Sequence, residues 1–179
     1  RLGPMFTPPS VAGADGKLAT ITLPSPTAGA NWQAGAADPE TGMLYVSSVT
    51  FAAPVALAPD PQHTDMDYLG QYSFKHIGPQ GLPLAKPPWG RITAIDLNSG
   101  EHTWMVPNGS TPEFVKQHPA LTGVDVSHTG NPEHAPILVT KTLLFTADGG
   151  GMYAMPPGAG EPMFRALDKR TGKVLHEMK

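Results

Sequence analysis

Several clusters of ligating or reactive residue types punctuate the 179-residue sequence. Asp60, His63, Asp65 and Asp67 crowd one stretch and could offer a hard cation its oxygen ligands. That stretch lacks the central Gly and terminal Glu of an EF-hand loop, so a solvated acidic loop accounts for it better. His118, His128 and His134 supply three imidazoles of the kind zinc favours, yet their spacing fits neither one helical face nor a zinc knuckle. Gly158-Ala159-Gly160 lacks the third Gly and the strand-to-helix setting of a dinucleotide loop. There is no Gly-x-Ser-x-Gly elbow and no phosphate loop. Asn108-Gly109-Ser110 matches a glycosylation acceptor, which has meaning only in a protein secreted by a eukaryote. Residue types alone assign no reaction.

Composition narrows the class. Twelve Lys and Arg against 15 Asp and Glu give a net charge of −3, so no basic surface argues for nucleic acid or anionic lipid. The absence of cysteine excludes disulfides and thiolate metal sites but leaves the compartment open. Twenty-one Pro and 20 Gly in a chain that is 40% hydrophobic suit an all-β fold with many turns. No apolar run approaches the roughly 20 residues needed to cross a bilayer. No signal peptide is visible, and a sequence that begins at Arg1 rather than Met would conceal one.

The elements that must position any site are organised around Arg91–Pro107, which reads as strand, tight turn and returning strand with Trp104 as its heaviest apolar anchor. In the turn Asp96-Leu97-Asn98-Ser99-Gly100, the Asp and Asn side chains bond nearby amides and Gly accepts positive φ. The frame Ala-x-Asp-x-x-(Ser/Thr)-Gly recurs at Ala36–Gly42 and Ala166–Gly172. Three copies point to a repeat of antiparallel sheets. His176 stands eight residues past Asp168, where Trp104 stands past Asp96, which weakens the aromatic anchor there.

Strands are expected at Leu18–Leu23, Met43–Val49, Ala135–Thr140, Leu143–Ala147, Met152–Met155 and Phe164–Leu167, the last with Lys173–Lys179 as its hairpin partner. A tight turn is expected at Asp148–Gly151 and a loop at Pro156–Pro162. Thr111 reads as the N-cap of one helical turn, with Pro112 as its first residue and Pro119 as its stop. The proline-rich stretch 51–90 reads as a long loop inserted at the rim of a single domain spanning 1–179. Intervals of 58 and 72 residues separate Asp38, Asp96 and Asp168. Propeller blades run to about 40–50 residues, so loops would have lengthened both intervals. The fold expected is therefore all-β, a partial β-propeller of about two four-stranded antiparallel blades plus flanking strands. An arc this short leaves sheet faces to be covered by further blades or by other chains.

Four segments carry a resemblance to a known family: Gly3–Ser10, Gly29–Ser48 (GANWQAGAADPETGMLYVSS), Pro87-Pro88-Trp89-Gly90 running into Arg91–Pro107, and Thr129–Phe145. Phe164–Lys179 adds a generic repeat. The sequence resembles the C-terminal part of a pyrroloquinoline-quinone (PQQ)-dependent dehydrogenase of the membrane-associated glucose, quinate and shikimate type. The resemblance implies an eight-bladed quinoprotein propeller with PQQ and calcium near its axis, located in the periplasm and associated with the inner membrane. It further implies oxidation of a sugar or polyol alcohol, with electrons passed to the respiratory chain.

By the same resemblance, Asn31 corresponds to an Asn that reaches the quinone, Trp32 helps to wall the site, and His134 occupies the place of a Trp found in alcohol-oxidising relatives. The residue types also have plainer uses. Asn31 can bond backbone before a strand, Trp32 can be core, and His134 can be an ordinary loop histidine. Calcium ligands and the catalytic Asp belong to earlier blades in the family, so no catalytic or metal-binding residue is expected here and this stretch alone is expected to be inactive. The alternatives are a non-catalytic propeller of the same repeat class acting as a binding or assembly scaffold, and an isolated module stable only as an oligomer.

Overall fold

The computed structural model describes residues 2–148 and 162–179, with only the backbone described at Asp15, Trp32 and Gln33. Two four-stranded antiparallel sheets dominate it. The first blade runs in space β3 (Gly29–Asp38), β4 (Met43–Val49), β7 (Gly90–Asp96), β8 (His102–Pro107). The second is a simple meander of β9 (Ile137–Val139), β10 (Leu143–Asp148), β11 (Met163–Asp168) and β12 (Val174–Met178). The strand expected at Met152–Met155, the turn at Asp148–Gly151, Gly158-Ala159-Gly160 and the loop from Pro156 lie wholly or mostly outside the described residues.

A third, smaller sheet flanks the blades. Its members are β1 (Ser10–Val11), β2 (Thr20–Thr22), β5 (Ala53–Ala58) and β6 (Leu69–Tyr72), with β5 at its centre and β1 parallel to it. The stretch between β4 and β7 is thus not loop throughout. Pro54 and the small alanines of β5 hide its strand character, because proline interrupts a ladder and alanine offers no alternation to read. The expected strand at Leu18–Leu23 contracts to three residues. The helical turn comprises Glu113–Lys116 with Pro112 as its cap. Thr111 does not cap it: its hydroxyl donates to the Val126 carbonyl and accepts from Thr129.

The three repeat frames prove unequal. Those at Asp96 and Asp168 occupy the same position, the hairpin joining the third and fourth strands of a blade. The one at Asp38 joins the first two strands of the first blade. Only the 72-residue interval is therefore a blade period; the 58-residue interval lies within one blade and contains the insertion. Register supports this equivalence. Ala36, Tyr45, Ala94 and Trp104 form one cross-strand row, and Leu138, Phe145, Ala166 and His176 form its counterpart. Each blade also has a register shift directly after the Ala of that hairpin.

The core is the seam between the blades. Tyr45, Ile92 and Ala94 of the first meet Leu144 and Leu167 of the second, with Met43, Trp104, Val106, Ile137 and Val139 around them. Trp104 closes it. Its ring lies 5.8 Å from that of Tyr45, and its indole N–H donates to the Lys169 carbonyl at 3.2 Å. Gly172 lies beneath the ring at φ +72°, where a Cβ would stand 2.8 Å from Trp104. Glycine is needed twice over, for the backbone and for the space.

Buried ion pairs close both ends of the seam. Lys169 Nζ donates to Asp38 Oδ2 at 2.5 Å and to the Thr140 carbonyl at 3.2 Å, while the Thr41 hydroxyl adds a 2.6 Å bond to the same carboxylate. At the other end, Arg165 reaches Asp148 at 2.5 Å, Glu177 at 2.9 Å and the Ser110 hydroxyl at 3.1 Å. Backbone bonds then tie the first blade to the loop that leads into the second. Trp89 N–H donates to the Thr129 carbonyl, Asn108 N–H to that of Gly90, and Asn131 N–H to that of Asn108. A Cβ on Gly90 would collide with the Asn131 carbonyl, so this braid requires glycine there.

Trp104→Ala should lower stability by about 3 kcal/mol, and Gly172→Ala by about 2 kcal/mol through strain and clash, both read as a shifted denaturant midpoint. The Lys169 ammonium, followed by the Thr41 hydroxyl, holds the Asp38 carboxyl below its ordinary value. That contribution is fully present above about pH 4 and is lost as pH falls through the lowered value. Lys169→Met should therefore destabilise the fold at neutral pH and flatten the acid limb of its stability profile. An unchanged acid limb would show that the pair contributes nothing to it.

Candidate functional site

The most irregular backbone in either blade lies on β3. Ala30 pairs with Ser48 and Gly35 with Val46, so residues 31–34 stand against the single residue Ser47. A bulge of this size gives up ladder bonds, bends the strand and re-aims its side chains, which is why bulges gather beside functional sites. Asn31 lies in it and is partly buried; of Trp32 the structure describes the backbone alone, in the same bulge.

His134 comes to the same end of the wedge. It lies three residues before β9, and β9 runs beside β3 at the junction of the blades. Its Nε2–H donates to the carbonyl of Thr27, two residues before β3. That bond fixes the tautomer of a neutral ring, leaving Nδ1 as an acceptor. Donation from His134 to a ligand oxygen would require the imidazolium. Asn31 and His134, about 100 residues apart in sequence, thus stand at the starts of adjoining edge strands.

Four buried hydroxyls at this end were not apparent from the sequence. The side-chain oxygens of Ser25, Thr27, Ser47 and Thr146 find no hydrogen-bond partner among the described residues. Ser25 and Thr27 precede β3, Ser47 stands across from the bulge, and Thr146 pairs with Ile137 at the start of β9. A buried hydroxyl without a partner is costly, so these are atoms that ordered water, a ligand or groups outside the described residues complete. No sequence signal could have found them, because Ser and Thr in strands are ordinary and their partners are set by tertiary packing.

The other sequence candidates do not converge. His118 Nε2 bonds the Gln80 carbonyl at 3.1 Å, whereas His134 bonds Thr27, so these imidazoles serve separate contacts. His63 pairs with Asp60 at 2.8 Å on an exposed loop. Among the described residues, no group of three or more His, Asp or Glu is arranged to hold a metal ion. No helix among them is long and apolar enough to cross a membrane.

Two antiparallel four-stranded sheets stacked face to face, their first strands side by side, define a wedge of a β-propeller. The family model described as "PQQ: Glucose/ethanol/alcohol dehydrogenase, beta-propeller domain" matches residues 1–179, and the chain belongs to that family. It is similar to a probable quinate dehydrogenase (quinone) of Xanthomonas campestris pv. juglandis, 24% identical over 182 residues that cover 90% of this chain and 22% of that protein. In fold it is similar to a quinohemoprotein alcohol dehydrogenase from Pseudomonas putida HK5, with a TM-score of 0.54 and 19% identity over 91% of this chain and 20% of that one. The chain thus spans about a fifth of the length of either relative.

The donor set fits one part of PQQ. A flat quinone with three carboxylates needs hydrogen-bond donors along its rim and cations for its acid groups. The Asn31 amide and the four hydroxyls are donors of the first kind, and Arg91, whose Nε donates to the Ser48 hydroxyl across from Ala30, is a cation beside the bulge. This wedge suits the rim. Ser47→Ala should leave the stability of cofactor-free protein unchanged or raise it by up to about 1 kcal/mol, since it removes a buried hydroxyl that has no partner among the described residues. Marked destabilisation in a denaturant titration would instead assign Ser47 a structural bond.

Proposed function

We propose that this chain forms part of a quinoprotein dehydrogenase that oxidises a sugar or polyol alcohol, supplying propeller blades and one side of the cofactor pocket. The observation that carries the proposal is the β3 bulge, where Asn31 stands across from Ser47 at an end of the wedge whose buried hydroxyls find no partner among the described residues. Family membership supports the choice of PQQ. When bound, PQQ would supply the two-electron acceptor that oxidation of an alcohol requires.

The chain's own part is to hold and orient. The Asn31 amide donates to a quinone oxygen, a bond that strengthens as the ring gains electron density. Trp32 is carried over from the family resemblance of the same segment as a wall of the slot. His134 reaches the pocket edge while its Nε2 holds the β3 and β9 entrances together. Calcium, its ligands and the base that removes the alcohol proton are assigned to blades outside this sequence. We place the reaction in the periplasm, with the respiratory chain as the electron acceptor.

Asn31→Ala in the full-length protein should lower turnover about 10²-fold, the usual effect of removing one donor to developing negative charge. Its denaturant midpoint without cofactor should stay near that of the parent. Equal loss of turnover and stability would return Asn31 to a structural role. No absorbance change on titrating the parent with PQQ and calcium would favour a non-catalytic scaffold.

A further inference from the structure

The insertion between β4 and β7 meets the loop leading to His134 through an unusual contact. The His76 ring stacks on Phe114 of the short helix at 4.6 Å and 26°, and Phe51 meets it edge-on at 5.5 Å. Phe74 and Tyr72 extend the cluster, with Phe51 and Phe74 at 6.4 Å and Phe74 and Tyr72 at 5.2 Å. Both ring nitrogens of His76 are buried, and neither has a hydrogen-bond partner among the described residues. A neutral imidazole tolerates such a cage as a flat apolar ring. An imidazolium would bring in a charge and a second N–H donor, again without an acceptor.

We propose that His76 is a proton-operated latch, holding the insertion against the 108–136 loop when neutral and releasing it when protonated.

Among the described residues, the elements packed on His76 offer the charged form no partner. The short helix carries Glu113 and Lys116, which pair with each other at 2.6 Å. The connection from Phe51 into β5 contains no ionisable side chain, and Lys75, the sequence neighbour of His76, is exposed. Burial is what lowers the His76 pKa from 6.5. Stacking of the cation on Phe114 offsets part of that cost, but it supplies no acceptor for either N–H.

The sign follows from linkage. With its latched pKa lowered, His76 favours the latched state fully above the ordinary value, and that preference is lost as pH falls from about 6.5 through the lowered value. A second histidine lies on the same seam. His118 donates through Nε2 to Gln80 and accepts at Nδ1 from the Ala120 N–H. The braid at Trp89 and Gly90 contains no titratable group, so it bounds the released segment on the blade side. The 108–136 loop runs directly into Glu133 and His134, which couples the latch to the entrance of β9.

The test is made on the full-length protein between pH 5 and pH 7.5. Slow deuterium exchange at the His76 ring carbon, read by peptide mass spectrometry, reports the residue's own midpoint, which should lie below 6.5. Backbone amide exchange of peptides covering 72–82 and 111–118, corrected for intrinsic rates, should accelerate as pH falls. The limiting acceleration should be about tenfold for each pH unit separating the released and latched midpoints. His76→Phe keeps the stack and removes the proton, so its exchange should stay slow at pH 5. A midpoint at or above 6.5 would overturn the latch, as would equal acid acceleration in His76→Phe.

Discussion

The face-to-face seam between the blades is the contact on which the remaining structure depends. Each sheet has one face in the seam, and the larger apolar cluster, Tyr45, Ile92, Ala94, Leu144 and Leu167, is those two faces meeting; a second cluster, Val49, Phe51 and Ala53, lies where the first blade passes into the insertion. An apolar contact by itself tolerates sliding, since burial is non-directional. The ion pair that crosses it does not. Parting Lys169 from Asp38 by a slip of one blade on the other would leave buried charges unpaired, at a cost well above the gain of making the pair, whereas Arg165 and Asp148 both belong to the second blade and meet the first-blade side through Ser110. The Lys169–Asp38 pair thus acts chiefly to select one alignment of the blades, and the apolar centre supplies most of the attraction.

That alignment propagates outward through Trp104. The indole spans the gap from β8 to the hairpin of the next blade, with one hydrogen bond and close packing over Gly172. The corresponding surface of the second blade carries Leu138, Phe145, Ala166 and His176, and its phenylalanines Phe145 and Phe164 stack at 5.5 Å. It is built on the same register as the covered face of the first blade, but with imidazole in place of indole. The smaller ring gives up apolar area and gains a second polar nitrogen. Successive seams of one repeat architecture are therefore not energetically alike.

What could be read from sequence follows from how local each signal is. The hairpins at Asp96 and Asp168 are encoded by turn residues whose conformational needs are met within a few positions, and their strands appear as expected. The frame at Asp38 has the same local chemistry and makes a similar turn, but the role of that turn in its blade is a tertiary fact, so the period was misleading. The β5 strand was invisible because its partners β1, β2 and β6 come from both sides of it in sequence, while its own residues are small or proline. In the candidate site, Asn31 stood out only through a contiguous family-like segment. The bulge around it, the unsatisfied Ser47 and Thr146, and the bond from His134 to Thr27 depend on residues up to 107 positions apart.

The location of the irregularities argues for how the work of such a fold is divided. The two hairpins at Asp96 and Asp168 repeat closely, down to the register shift after their Ala, because the same packing problem recurs in each blade. The starts of β3 and β9 depart from each other: one carries a four-against-one bulge, the other a short strand entered through a buried polar loop. A bulge sacrifices backbone hydrogen bonds, and buried hydroxyls with no partner among the described residues add no stability from them, so neither is explained by the packing of the blades. Both gather where the first strands of adjoining blades run side by side and where no packing demand explains them. A ring of blades brings many such starts to one axis, each free to differ. A ligand bound there can draw a donor from one blade and a cation from another, while every seam keeps its common form.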